Sequence, residues 1–124
     1  MYKAINEYEF INVMSEEGNG FSRQGAGVLY DMLLEFEEST EESIEFDPVA
    51  IRCDYSELSV SDFLNDYGYL INESYGIDIN ANDMEWYDKE YYINEFLDEE
   101  YNGFFRVFKD KNKKTHYIIE TAAL

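Results

Sequence analysis

The sequence predicts an α+β domain, a small antiparallel sheet packed against three or four helices. Three observations predict it. Apolar residues recur at helical spacing in several separate stretches. The C-terminal stretch alternates apolar and polar residues on either side of a polar turn, as a β-hairpin does. Aromatic residues make up 18% of the 124-residue chain, enough for a core despite a formal net charge of −19. Disordered acidic tails are poor in aromatics. The length predicts one domain spanning residues 1–124.

Over residues 4–14, Ile5, Tyr8 and Ile11, with Phe10 and Met14 offset by one, predict a helix with one apolar face. The run Glu16-Glu17-Gly18-Asn19-Gly20 breaks it. Ser22 is the expected N-cap of a second helix over about 23–37, whose stripe is Val28, Leu29, Met32, Leu33 and Phe36. Gly25 and Gly27 weaken its first turn by about 1 kcal/mol each relative to Ala, which suggests a close approach by another backbone.

A strand is expected at about 48–55, with Val49, Ile51, Cys53 and Tyr55 on one side. Ser59-Val60-Ser61-Asp62 reads as a capping box opening a short helix over about 60–67, which Gly68 stops. Residues 68–83 are rich in Asn, Asp and Gly and give no clear assignment. A further helix is expected at 84–100, with Trp86, Ile93, Phe96 and Leu97 as its apolar positions. Residues 104–109 and 115–120 flank Asp110-Lys111-Asn112-Lys113-Lys114, which predicts the hairpin 104–120 with a basic tip. The strand at 48–55 is expected to pair with it, with the helices on one face of the sheet.

Charge is unevenly placed. Residues 1–105 hold 26 acids and 4 bases, whereas residues 106–124 hold 2 acids and 5 bases. Self-repulsion opposes compaction of such a chain, and a function that uses the negative field would offset that cost. The start Met1-Tyr2-Lys3-Ala4 carries neither a basic nor an apolar run, so no signal peptide is expected. No apolar run approaches the ~18 residues of a membrane span, and an acidic protein should avoid anionic membrane surfaces. The lone Cys53 forms no intramolecular disulfide and fits a reducing compartment. The expected location is the cytoplasm.

Catalytic signatures are lacking. His116 is the only histidine and lies in an expected strand; Cys53 is expected to pack as a small core residue. No glycine-rich phosphate loop is present, and the many carboxylates remove specificity from any two-carboxylate pattern. No cofactor is expected. Asp78-Ile79-Asn80-Ala81-Asn82-Asp83 begins like a calcium loop, but Asp83 stands where such a loop needs Gly and Lys89 where it needs Glu. A polar loop before a helix is the preferred reading, and no metal site is expected.

The acids themselves carry the functional expectation. Asp31/Glu35, Asp62/Asp66 and Glu95/Glu99 stand at i,i+4, about 6 Å apart along a helix. Phosphates along a nucleic-acid strand are separated by a similar order of distance. Like charges at that spacing destabilise an isolated helix by a few tenths of a kcal/mol per pair. Glu35, Glu37, Glu38, Glu41, Glu42, Glu45 and Asp47 are expected to form one acidic ridge, and Glu95, Asp98, Glu99 and Glu100 another. Tyr67, Tyr69, Tyr75, Tyr87, Tyr91, Tyr92 and Tyr101 are too many to be buried together, and tyrosine is favoured at interface hot spots.

Residues 21–58 carry Phe21-Ser22-x-x-Gly25, Leu29-Tyr30-x-x-Leu33, an acidic run, and Phe46-Asp47-Pro48-Val49-Ala50-Ile51-Arg52-Cys53-Asp54-Tyr55-Ser56-Glu57. This third of the chain resembles a group of small acidic proteins carried by bacteriophages and mobile elements. That group includes antirestriction proteins and anti-CRISPR inhibitors, several of which act as DNA mimics. The resemblance implies a non-enzymatic phage inhibitor working in the bacterial host cytoplasm. Its partner would be a DNA-binding protein with a basic groove, a CRISPR effector nuclease in preference to a restriction enzyme. No direct contact with nucleic acid is expected. The alternative is a regulatory adaptor that uses its tyrosines and the hairpin edge. A homodimer through paired hairpin edges is compatible with either reading.

Overall fold

Most helices begin on a short polar side chain that the sequence supplies. The computed structural model describes residues 5–81 and 83–124. Its elements run α1 (Glu7–Met14), α2 (Arg23–Thr40), α3 (Pro48–Asp54), β1 (Tyr55–Ser59), α4 (Val60–Tyr75), α5 (Trp86–Glu99), β2 (Phe105–Lys109), β3 (Thr115–Glu120) and a closing 3₁₀ turn (Thr121–Ala123). Asn6 accepts the Glu9 N–H at 2.8 Å, Ser22 the Gly25 N–H at 2.9 Å and Ser59 the Asp62 N–H at 3.1 Å. Each bond satisfies one of the N–H groups that a helix start leaves without an intrahelical partner.

Residues 48–54 correct the sequence reading. They form α3 rather than a strand, and the strand follows at Tyr55–Ser59. Asp47 accepts the Val49 and Ala50 N–H groups at 3.1 and 3.3 Å, and Pro48 occupies the first turn, where its missing N–H costs nothing. Winding into a helix separates the residues expected to share a face. Ile51 is buried, while Val49 and Cys53 are exposed, so Cys53 is not a core residue. The α4 helix also runs through Gly68 and ends at Gly76, in the left-handed conformation at φ 65°. Gly68 is glycine because Ile79 packs against it; a Cβ there would lie 3.3 Å from Ile79 Cγ2.

The sheet is antiparallel with order β1-β3-β2. Glu57 stands opposite Ile118, and Val107 opposite Tyr117. The hairpin is therefore as expected, and its partner strand is displaced to 55–59. Helices cover both faces of the sheet, not one. Tyr117 and Ile119 of β3 enter a core with Phe63, Leu64, Ile71, Ile93, Phe96 and Leu97 from α4 and α5. Ile118, pointing the other way, enters a core with Phe10, Met14, Leu29, Met32, Leu33 and Ile51 from α1, α2 and α3. All three residues are fully buried. A central strand covered on both sides reads as a continuous apolar run, which is what Tyr117-Ile118-Ile119 is.

Tyr101 ties the end of α5 to the sheet. Its hydroxyl donates to the Glu120 carbonyl at 2.6 Å and accepts the Glu120 N–H at 2.8 Å. Burial, against the opposing effect of that backbone bond, pushes the phenol up to about 12. Among the described residues no helix is long and apolar enough to cross a membrane.

Candidate functional site

The first acidic ridge follows the end of α2 into the irregular stretch 41–47. Its acids divide into two sets. Three are tied into the fold: Glu35 pairs with Arg106 of β2, Glu37 accepts the Ile44 N–H at 2.7 Å, and Asp47 caps α3. Glu38, Glu41 and Glu42 form the second set and face solvent; Glu45 is exposed and belongs to neither set. The tied acids fix a segment without regular structure, and the exposed ones project from it. Glu41 closes α2 in the left-handed conformation at φ 57°. Non-glycine residues are uncommon there, and glycine is the usual choice at a helix end.

The second ridge lies on the C-terminal half of α5. Asp98, Glu99 and Glu100 are exposed, and Glu95 is half-buried. Desolvation, a hydrogen bond with Glu99 and the charges of Glu99 and Asp98 hold the Glu95 carboxyl above its usual value. The crowding reaches the neighbouring helix. Tyr75 of α4, its ring 5.5 Å from that of Tyr92, has its phenol raised by burial and by Glu99, Glu95 and Glu100.

A third acidic row escaped the sequence reading as a site. Asp62, Asp66 and Glu73 are exposed on α4 together with Tyr69, at spacings of four, three and four residues. The signal was present in the Asp62/Asp66 pair, but Gly68 was read as the end of the helix and Glu73 fell outside it. Asp31 and Glu35 are likewise both exposed on α2.

The bases collect at the other end of the sheet. Lys109, Lys111, Lys113 and Lys114 are all exposed around the hairpin turn. Asp110 holds the turn, accepting the Asn112 and Lys114 N–H groups at 2.8 and 3.0 Å. His116 braces it: Nε2 lies 2.8 Å from Asp110 Oδ2, and Nδ1 lies 3.5 Å from Glu57 Oε2. Both ring nitrogens donate only as the imidazolium. The His116 bond, then those from the Lys114 and Asn112 backbone, holds Asp110 below its usual value. Glu57 in turn accepts the Ser22 hydroxyl at 2.9 Å. Gly25 leaves room for that carboxylate, since a Cβ there would meet Glu57 Oε1 at 1.6 Å. The close approach to Gly25 is thus by a side chain, whereas the sequence suggested a backbone.

Beside the lysines a groove of about 720 Å³ opens between the hairpin and the N-terminal ends of α4 and α5, lined by Ser61, Trp86, Glu90, Lys109, Lys113 and Lys114. The outer edge of β2 is less open. The Glu120 N–H to Phe104 carbonyl and Asp110 N–H to Lys114 carbonyl bonds set the ladder phase. That phase turns the backbone groups of Phe105, Val107 and Lys109 outward. Arg106 bonds the Phe105 carbonyl and Gln24 the Lys109 carbonyl, each at 2.8 Å. Two of the three outward carbonyls are therefore engaged by side chains of the same chain, a blunted edge.

Before α5, Asp78 accepts the Asn80 N–H at 3.1 Å in a turn over residues 78–81; Asn82 lies outside the described residues. Among the described residues no three His, Cys, Asp or Glu side chains converge on a common point. Comparison with protein-family models, with curated proteins and with solved structures finds no match.

Proposed function

We propose that this chain is a phage-encoded inhibitor of a bacterial DNA-targeting defence nuclease, with an anti-CRISPR role preferred over inhibition of a restriction enzyme. It occupies the nuclease's basic DNA groove with carboxylates standing in for phosphates. The observation that carries the reading is the construction of the first ridge. Glu35, Glu37 and Asp47 hold it in place, and Glu38, Glu41 and Glu42 face solvent. Prior fixation of the charges removes part of the ordering cost of binding. At Glu41 stability alone favours glycine, and the chain carries a charge. Local rules tend to be broken in this way at functional positions.

The adaptor reading draws support from the exposed aromatics of α5, while the blunted β2 edge weighs against the strand-pairing half of it. Salt distinguishes the two, because charge-driven contacts weaken with ionic strength and aromatic ones do not.

The test is affinity capture from nuclease-treated bacterial lysate at low and high salt, followed by mass spectrometry. Capture of a DNA-binding nuclease that is released by salt and by competing duplex DNA is expected. Glu38→Lys/Glu41→Lys/Glu42→Lys should abolish it while circular dichroism stays unchanged. Capture that survives reversal of both ridges sinks the mimic.

A further inference from the structure

We propose that α5 is the self-recognition surface of this chain, and that two copies pair antiparallel along it about a two-fold axis. The inference is independent of the inhibitor reading. It starts from what α5 exposes. Tyr87, Tyr91, Asn94 and Asp98 are all exposed and recur at spacings of four, three and four, so they share one face. Trp86, Tyr87 and Tyr91 are 61%, 57% and 59% exposed, the densest group of uncovered large rings among the described residues.

Charge then selects the occupant. The N-terminal end of α5 lies beside the groove holding Lys109, Lys113 and Lys114, and its C-terminal end carries Asp98, Glu99 and Glu100. The helix has 14 residues, about 21 Å from the basic end to the acidic end. An antiparallel second copy sets each basic groove against the other copy's acidic end, and the same contact is made twice. This is the self-complementarity a closed two-fold interface requires. The lysines are the main positive cluster on a chain of net charge −19, and the second copy brings a matching acidic end. Long-range repulsion between the copies is screened beyond about 8 Å at physiological salt, whereas contacts made across the groove are not.

The area is adequate. An aromatic side chain buries about 150–250 Å², so three rings exposed to this extent supply on the order of 700 Å² across two copies. That is close to half of a standard interface, with the charged ends making up the rest.

Sedimentation velocity of the whole chain tests the proposal. A dimer is expected at about 150 mM salt, with its dissociation constant rising about tenfold or more by about 500 mM. Lys109→Glu/Lys113→Glu/Lys114→Glu should be monomeric, and so should Asp98→Lys/Glu99→Lys. All five positions are exposed, and circular dichroism should be unchanged. An equimolar mixture of the two variants should restore a dimer, because the two reversed ends then meet each other and the two unchanged ends meet each other. Trp86→Ala should weaken the wild-type dimer without a change in salt dependence. A wild-type chain that stays monomeric at about 150 mM salt overturns the proposal, as does a variant mixture that fails to pair. A monomer whose lysines instead retain inorganic polyphosphate would also overturn it, replacing the second copy by an anion.

Discussion

The two acidic ridges, of seven and four carboxylates, are built in opposite ways. The ridge at 35–47 runs from the last turns of α2 into irregular backbone, and several of its acids spend their oxygens on the fold: one on a guanidinium, one on a backbone N–H, one on a helix start. The ridge at 95–100 sits on a regular helix, where Glu95 meets Glu99 and Asp98 and holds its proton more tightly. One ridge is braced by its own carboxylates, the other strained by them. Acidic composition alone says little about what a carboxylate does; the neighbours decide whether it stabilises the chain or is left for a partner.

That contrast can be broken by mutation. The largest effect should be on capture of the target. Reversing Glu38, Glu41 and Glu42 should cost at least about 100-fold in affinity, roughly 3 kcal/mol. Asp98→Lys/Glu99→Lys should leave most target affinity and change self-association instead. Titration calorimetry with the captured protein separates these, and equal losses would erase the division between the ridges.

Next is Asp47→Ala, which removes the α3 cap and should cost about 1 kcal/mol, a fall of a few degrees in melting temperature. Glu41→Gly should act in the opposite direction, stabilising by about 1 kcal/mol through relief of the left-handed conformation while weakening capture. A Glu41→Gly chain no more stable than wild type would mean that the glutamate is held by contacts of its own.

The smallest effect, and the one most specific to the second ridge, is Glu95→Gln. The folded-state value of Glu95 lies above its usual 4.5, so its favourable contribution is complete below that value and lost as pH rises through the raised one. At pH 7 the glutamine variant should be the more stable. Its advantage should shrink as the wild-type carboxyl protonates and vanish in acid. Thermal melts across pH 4–7 read this directly, and a pH-independent difference would mean that the carboxylates are not crowded.

Much of the fold was legible because it rests on local signals. Ser22 and Ser59 cap the helices they were read to cap, and the hairpin falls on the expected residues. Residues 48–54 were misread although the decisive signal, Asp47-Pro48, was in plain view. Alternation through Val49, Ile51, Cys53 and Tyr55 outweighed it. Gly68 could not be read correctly from its surroundings, because its reason is Ile79, eleven positions away and in contact only after folding. The site was legible as charge and illegible as geometry. No pattern in sequence tells Glu35, which finds Arg106 across 71 positions, from Glu38, which faces water. Glu57, alone in its strand and packed over Gly25, gave no signal.

The central strand has a consequence for how the chain is made. β3 supplies Tyr117 and Ile119 to one core and Ile118 to the other, and it pairs with both remaining strands. A ribosome delivers α1 through β2 before any of β3 exists. Until then neither helical layer has its sheet to close on, and the self-repulsion of the acidic chain opposes collapse. Folding then awaits a six-residue segment, and both halves should consolidate together when it arrives. A peptide carrying β3, added to a chain that lacks it, should be enough to trigger the same closure in a test tube.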